Sequence, residues 1–190
     1  MNNKPIPIEV SARHAHLCEE NTKKLFGEGY ELKIKRELST PGYYVVEERV
    51  DLATEKKELK NVGILTPLRG QTQIEISMTD ARSLGINPPV RLSGDLAGST
   101  GIKLTGPNGS VEIKEGVIIA KRHIHMSEAT AEKYGIVDKQ VVSVKTCGTR
   151  PAILEDVVVR IAPDFIDSMH IDTDEANACG IQSGEIGYIV

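Results

Sequence analysis

The chain has 190 residues, enough for one ordinary domain or two small ones. Hydrophobic residues make up 39% of the chain and charged residues 26%, a balance that excludes a disordered protein. No apolar run approaches the roughly 20 residues that span a bilayer, so we expect no membrane partner. The formal net charge of -4 argues against nucleic-acid binding, because a mildly acidic surface does not neutralise a phosphate backbone.

The residue usage predicts a mainly β fold in a reducing compartment. The chain has no Trp, two Phe and 17 Gly, and it is rich in β-branched Val and Ile, which favours short strands joined by turns. The three cysteines are odd in number and show no CxxC spacing, which is typical of intracellular proteins. The first residues, MNNKPIPIEVS, lack the features of a secretory signal. We therefore expect a cytoplasmic location.

The first predicted strand leads toward a pair of histidines. Alternating Ile6, Ile8 and Val10 have the same parity as His14 and His16, so one apolar strand face is expected to run into the pair. Residues i and i+2 of an extended segment point to the same side, which places two imidazoles in parallel. This is ligand geometry for a transition metal, zinc being the usual choice.

The next segments carry charge and then a polar strand face. Residues 47–60 contain no Gly or Pro and indicate either a solvated helix or a charged hairpin. Residues 72–78 alternate as a strand whose polar face carries Glu75, an oxygen donor suited to a metal. Arg69 is a candidate clamp for phosphate or carboxylate. In a straight strand it would lie roughly 20 Å from Glu75, so a bend at Gly70 is needed if both serve one site.

Short predicted helices alternate with the later strands. Gly85, Gly135 and Gly180 each stand where a helix would end in a left-handed residue, followed by an apolar residue that closes the last turn. Many short strands joined by such one- or two-turn helices favour closed barrels, because a barrel leaves no exposed edge.

The second histidine pair reveals an internal repeat. Residues 11–19, SARHAHLCE, match residues 120–128, AKRHIHMSE, and the repeat supplies a second metal-ligand pair at His123 and His125. We predict two small β-barrels with short capping α-helices, related by this repeat. The first barrel is expected to span 13–120 and the second 1–12 plus 121–190. The halves are expected to be intertwined and to exchange strands, with a metal site between them.

The fifth histidine, His170, is the best third ligand for one of the pairs. The acidic residues after it are better explained by a helix start, with Asp172 or Thr173 as N-cap and Glu175 placed to complete a capping box from Asp172. Cys18 follows the first pair and could be read as a nucleophile. Its repeat counterpart is Ser127, which favours an N-cap or packing role. A purely structural zinc site is disfavoured, because the chain offers no paired thiolates.

Together these strings resemble the PduL-type phosphotransacylases, the phosphate propanoyltransferase family. The matching motifs cover nearly the whole chain in the family's order: RHAHL (13–17), PLRGQTQIE (67–75), SGDL (93–96), GPNG (106–109), RHIHM (122–126) and HIDTDEAN (170–177). A threonine stands at position 66, where the family pattern has glycine.

The resemblance implies an enzyme that interconverts acyl-CoA plus phosphate with acyl phosphate plus coenzyme A, for acetyl or propanoyl groups. It implies a pair of barrels with two zinc ions between them. By motif, one zinc would be held by His14, His16 and Glu75, and the other by His123, His125 and His170. Arg69 resembles the family's phosphate-binding arginine.

Other features of the family carry over with the same motifs. The resemblance implies coenzyme A as a substrate. The positions that resemble the family's contacts to it are Ser11, Leu65 and Asn177. The family's microcompartment-targeting extension is not seen before the first motif, so a cytosolic form is expected. We expect a homodimer, and an acetate or propionate kinase is a candidate metabolic partner.

Two other functions compete with acyl transfer to phosphate. A two-zinc thioester hydrolase would use the same metals to activate water, but it would have no need of a phosphate clamp at Arg69. A non-catalytic, zinc-stabilised scaffold would require closed metal coordination and would be indifferent to loss of Arg69.

Overall fold

The computed structural model describes residues 4–190, which divide into two compact units. The middle of the chain, Arg13–Ala120, forms one unit, and both ends, 4–12 with Lys121–Val190, form the other. They are called the middle unit and the terminal unit below. The predicted segment 1–12 is described from residue 4 onward, and its first three residues lie outside the described part.

The terminal unit is a closed six-stranded barrel with two helices. Its strands are β1 (Lys4–Ser11), β10 (His123–Met126), β11 (Val141–Lys145), β12 (Ile153–Ile161), β13 (Ser168–Asp172) and β14 (Ile186–Ile189). They close in the order β1-β13-β10-β12-β11-β14. Its helices are α3 (Glu128–Tyr134) and α4 (Thr173–Cys179). Closure leaves no unpaired strand edge in the ring.

The middle unit contains a second closed ring. Its strands are β2 (His14–His16), β3 (Ile34–Glu37), β4 (Tyr44–Ala53), β5 (Glu58–Thr66), β6 (Gln73–Glu75), β7 (Val90–Arg91), β8 (Thr100–Gly106) and β9 (Gly109–Ala120). The run β4-β5-β2-β6-β9 closes because β8 pairs with both β9 and β4, while β3 and β7 add outside the ring. Its helices are α1 (Glu19–Phe26) and α2 (Met78–Leu84). The prediction of a mainly β protein with two barrels and short helices is confirmed.

The strand that precedes each histidine strand in the chain pairs within the other unit. Strand β1 precedes β2 in the chain, yet it pairs with β13 and β14 of the terminal unit. Strand β9, which leads to β10, pairs with β6 and β8 of the middle unit. The prediction that one apolar strand face runs from Ile6 into His14 and His16 is therefore wrong. Ile6 and Ile8 are buried in the core of the terminal unit instead.

Each unit has its own apolar core. In the terminal unit the cluster includes Ile8, Ile124 and Val159, and in the middle unit it includes Ala15 and Ile64. Ile124 and Ala15 are the residues between the histidines of each pair, and both are fully buried. Because alternate strand residues point to opposite faces, burial of the central residue turns the two flanking imidazoles together to the other face.

The structure decides between the two alternatives for residues 47–60 and confirms the predicted helix ends. The charged segment 47–60 is the hairpin formed by β4 and β5, whose turn is closed by hydrogen bonds between Thr54 and Lys57. Gly85, Gly135 and Gly180 end their helices in the left-handed conformation. Among residues 4–190, no helix has both the length and the apolar character that crossing a membrane requires.

We predict that Gly135→Ala lowers the free energy of unfolding by about 1 kcal/mol, because a side chain is disfavoured in the left-handed region. Gly135 has φ +63, and an added Cβ would meet no atom within 4 Å. The loss therefore reports backbone strain alone, without a steric clash. Gly63→Ala is the matched control, since that site is also open and its φ lies outside the positive range. Urea denaturation measures both, and equal effects at the two positions would contradict the explanation.

Candidate metal centres

The first ligand set lies on neighbouring strands of the middle unit. Strand β2 runs between β5 and β6, and the antiparallel pairing with β6 places His14 opposite Glu75. The ligand atoms of His14, His16 and Glu75 all lie within 4.8 Å of one another. His14 Nε2 is 3.4 Å from Glu75 Oε2. The two imidazoles and one carboxylate therefore converge on a space of the size of a single ion.

The second set has the same construction in the terminal unit. Strand β10 runs between β12 and β13, and the antiparallel pairing places His123 opposite His170. The ligand atoms of His123, His125 and His170 also lie within 4.8 Å of one another. The rings of His123 and His170 stack with centroids 5.0 Å apart. His170 thus occupies the position in this barrel that Glu75 occupies in the other.

Each histidine strand is anchored on both sides, by interactions that the sequence did not reveal. On one side, the arginine before each pair forms an ion pair with a helix that follows the strand of the third ligand. Arg13 contacts Asp80 of α2 and Arg122 contacts Glu175 of α4, each pair at 2.6 Å. Both acids also complete capping boxes. The arginines of the repeat therefore have a structural role, and only the predicted helix start at Glu175 gave a sequence signal for one of their partners.

On the other side, the residue two positions after the second histidine of each pair donates its backbone N–H to a side chain just before the strand that carries the third ligand. Cys18 N–H binds Thr72 Oγ1 at 3.0 Å, and Ser127 N–H binds Asp167 Oδ1 at 2.7 Å. Cys18 is the N-cap residue of α1 and Ser127 that of α3. Ser127 caps its helix with its hydroxyl, whereas Cys18 makes no side-chain cap and lines an open cavity together with Arg69. The N-cap or packing role of Cys18 therefore stays a prediction.

Burial keeps one imidazole of each pair neutral. Desolvation lowers the pKa of His16 to about 2, with smaller contributions from the charges of His14 and Arg69. Desolvation likewise lowers the pKa of His125 to about 3, helped by His123 and Arg160. Neutral imidazole is the form that binds metals, so neither histidine has to lose a proton at neutral pH.

The polar atoms of both sets fit a bound cation. Nδ1 of His16 and Nδ1 of His125 are buried without a hydrogen-bond partner in the described part of the chain, a costly state that an ion would relieve. Nδ1 of His123 lies 3.0 Å from the carbonyl oxygen of Lys121. Since a carbonyl only accepts, Nδ1 carries the proton and Nε2 keeps its lone pair for a metal.

Arg69 is brought to the first ligand set by a turn after β5. Its backbone N–H donates to the carbonyl of Leu17 at 2.8 Å, and its Nη1 donates to Ser93 Oγ at 3.0 Å. Ser93 Oγ in turn donates to Glu75 Oε1 at 3.0 Å. The chain bends at 70–71, as the combination of Arg69 and Glu75 in one site requires. Beside Arg69, an open cavity of about 510 Å³ is lined by Gly70 and the start of α1.

The positions resembling coenzyme A contacts fall in both units. Leu65 lies on β5, opposite His16 in the strand register, and is half-buried. Ser11 ends β1, opposite Asp172, and Asn177 lies on the exposed face of α4. Leu65 therefore adjoins the first histidine pair, while Ser11 and the start of α4 lie side by side within the terminal unit.

Phe165, one of only two Phe residues, stacks on a ligand ring. Its ring centroid is 4.1 Å from that of His125, and the Arg160 guanidinium carbon lies 6.0 Å from the same Phe165 centroid. The stacked ring removes water from His125 and so contributes to the low pKa of this imidazole. Nothing in the local sequence pattern around Phe165 predicted this contact.

Comparison with known proteins gives a consistent result. The family model described as phosphate propanoyltransferase matches residues 7–182. A phosphate propanoyltransferase of Listeria monocytogenes is 52% identical over 97% of this chain and 87% of its own length. The proteins of that name from Thermotoga maritima and Clostridioides difficile are 50% and 47% identical to this chain, again over 97% of its length. The matches span 89% and 88% of those two proteins.

We predict that the metal-free protein loses stability as the pH falls below about 6.5. The unfolded state binds protons at His16 and His125 there, while the folded state, with both pKa values depressed, does not. The sign of linkage makes the free energy of unfolding fall with pH, by at most about 1.4 kcal/mol per pH unit for each histidine.

Urea denaturation in the presence of a chelator, at about pH 7.5 and about pH 5.5, measures this loss. The double variant His16→Asn, His125→Asn should show a shallower dependence on pH, because its folded and unfolded states no longer differ in protons at these positions. An equally steep loss of stability in the double variant would assign the effect to other groups.

Proposed function

The chain belongs to the phosphate propanoyltransferase family, and we propose that it transfers a short acyl group, acetyl or propanoyl, between coenzyme A and phosphate at a two-zinc site. The protein is an enzyme of the acyltransferase class. The proposal assigns the substrates acyl-CoA and phosphate in one direction, and acyl phosphate and coenzyme A in the other.

The observation that carries the proposal is the link between Arg69 and the first ligand set. One hydroxyl, that of Ser93, contacts both the Arg69 guanidinium and the Glu75 carboxylate. A hydrolase needs only water and metal, whereas a guanidinium held beside the metal ligands matches the geometry of a phosphate. Lys23, from α1, lines the same cavity as Arg69 but is ion-paired with Glu19 and Glu28, so the proposal rests on Arg69 alone.

Zinc would be held by His14, His16 and Glu75 in the middle unit and by His123, His125 and His170 in the terminal unit. Three protein ligands are typical of catalytic zinc sites, which keep a further position open for water or substrate. When bound, each ion supplies Lewis-acid charge that stabilises a thiolate leaving group or the oxygens of phosphate. Imidazole and carboxylate also suit cobalt, nickel or iron, so the native metal is a matter for metal analysis.

The reaction balances without a covalent enzyme intermediate. A phosphate oxygen attacks the thioester carbonyl carbon, the new C–O bond forms, the C–S bond breaks, and the sulfur leaves with the electron pair as thiolate. The role of Arg69 is to offset the charge of phosphate and aim one oxygen at the carbonyl.

Ser11, Leu65 and Asn177 are proposed to contact coenzyme A. The cytoplasmic location, the homodimer and a kinase partner stay predictions from the sequence.

We predict that Arg69→Ala lowers kcat/KM for phosphate by about 100-fold or more, since one preorganised donor to the reacting anion is lost. The measurement is thiol release from acetyl-CoA and propanoyl-CoA by metal-loaded protein, with and without phosphate, together with assay of acyl phosphate. Arg82→Ala is the matched control, because Arg82 is an exposed arginine of α2 in the same unit.

The three possible results separate the candidate functions. Thiol release that requires phosphate and collapses in Arg69→Ala but persists in Arg82→Ala supports acyl transfer to phosphate. Release that proceeds equally without phosphate points to a thioester hydrolase. No release by any metal-loaded sample leaves the non-catalytic scaffold.

A further inference from the structure

Ser93 and Gln73 surround one oxygen of the Glu75 carboxylate. Glu75 Oε1 accepts from Gln73 Nε2 at 2.6 Å and from Ser93 Oγ at 3.0 Å. The other oxygen, Oε2, lies 3.4 Å from Nε2 of His14. The carboxylate is therefore held by one oxygen while the second faces the imidazole of His14.

The Gln73 side chain is itself fixed in orientation. Its Oε1 accepts the backbone N–H of Gly94 at 2.8 Å, so the amide nitrogen must face the other way, toward Glu75 and Ser93. Gln73 is fully buried, and a buried amide must satisfy both ends. Its three hydrogen bonds meet that need.

The Ser93 hydroxyl uses its full hydrogen-bonding capacity. It accepts from Gln73 Nε2 at 2.8 Å and from Arg69 Nη1 at 3.0 Å, and it donates to Glu75 Oε1. A hydroxyl has one donor and two acceptor lone pairs. The orientation of the Glu75 carboxylate and the position of the Arg69 guanidinium are therefore set by the same small group.

The terminal unit repeats part of this arrangement. Ser168 stands opposite His125 in the strand register, as Gln73 stands opposite His16. Its hydroxyl contacts His170 Nε2 at 2.9 Å. In both barrels, then, the residue two positions before the third ligand, on the same face of the strand, hydrogen-bonds that ligand.

We propose that Gln73 and Ser93 are positioning residues: both orient Glu75 toward the metal, and Ser93 in addition sets Arg69 for phosphate. This inference rests on the proposed roles of Glu75 and Arg69. Partners that orient metal ligands typically change metal affinity 10–100-fold, roughly, when they are lost. The two residues should differ in one respect, since only Ser93 contacts the guanidinium.

Zinc affinity of the first ligand set is the direct test. In full-length protein carrying His123→Ala and His125→Ala, competition with a chromophoric chelator measures zinc binding by the remaining set. Gln73→Met and Ser93→Ala are each expected to weaken binding about 10–100-fold. Ser93→Thr keeps the hydroxyl and should restore affinity. Ser83→Ala, which removes an exposed serine hydroxyl of α2, serves as control.

Steady-state kinetics of the zinc-saturated single variants separate the two roles. Ser93→Ala is expected to raise KM for phosphate about 10-fold, the order expected for a lost hydrogen bond to a charged group. Gln73→Met should leave that KM close to the parent value. A purely structural role would change neither zinc affinity nor the phosphate KM selectively, and circular dichroism of the metal-free variants reports whether they fold.

The failures of this inference and of the proposed function look different. If Glu75→Ala loses zinc but Ser93→Ala and Gln73→Met bind it as the parent does, the positioning role is overturned and the metal set stands. If Glu75→Ala binds zinc as tightly as the parent, Glu75 is not a ligand. The proposed ligand set and the positioning role, which acts through Glu75, are then both overturned. If Arg69→Ala leaves the phosphate KM unchanged, only the phosphate role is lost.

Discussion

The register between each histidine strand and its antiparallel neighbour is the constraint on which both candidate metal centres depend. It places His14 opposite Glu75 in one barrel and His123 opposite His170 in the other. A slip of one residue would turn the third ligand to the opposite face, because side chains alternate along a strand. Burial of the residue between the histidines, Ala15 or Ile124, penalises that slip, so the apolar core and the ligand geometry are specified together.

The anchors at both ends of the histidine strands explain how such short elements hold their ligands. Strand β2 has three residues, and short strands gain little stability from their own pairing. The ion pairs of Arg13 and Arg122, and the backbone bonds of Cys18 and Ser127, tie each strand to the segments on either side of the third ligand. The repeat therefore carries a structural frame as well as four ligands. The frame is common to both units, whereas Glu75 differs from its counterpart His170, so one ligand set includes a carboxylate and the other consists of three imidazoles.

Patterns of short range in the sequence predicted much of the fold and part of the site. The helix ends at Gly85, Gly135 and Gly180 and the capping box from Asp172 to Glu175 depend on neighbours within a few residues, and they are confirmed. The pairing partner of a strand could not be predicted in this way, because the alternation of β1 specifies a buried face but not which barrel buries it. The bonds of Ser93 to residues 69–75 escaped prediction because they join segments that only the closed barrel brings together.

Zinc bound per chain tests the two-centre account most directly. Elemental analysis of zinc-loaded protein after removal of free metal should find two ions per chain, one in Glu75→Ala and one in His125→Ala, with phosphate-dependent turnover lost in both variants. Loss of turnover in each is expected because residues that act as a unit are not additive. A parent protein that holds fewer than two ions, or a variant that keeps two, would contradict the account.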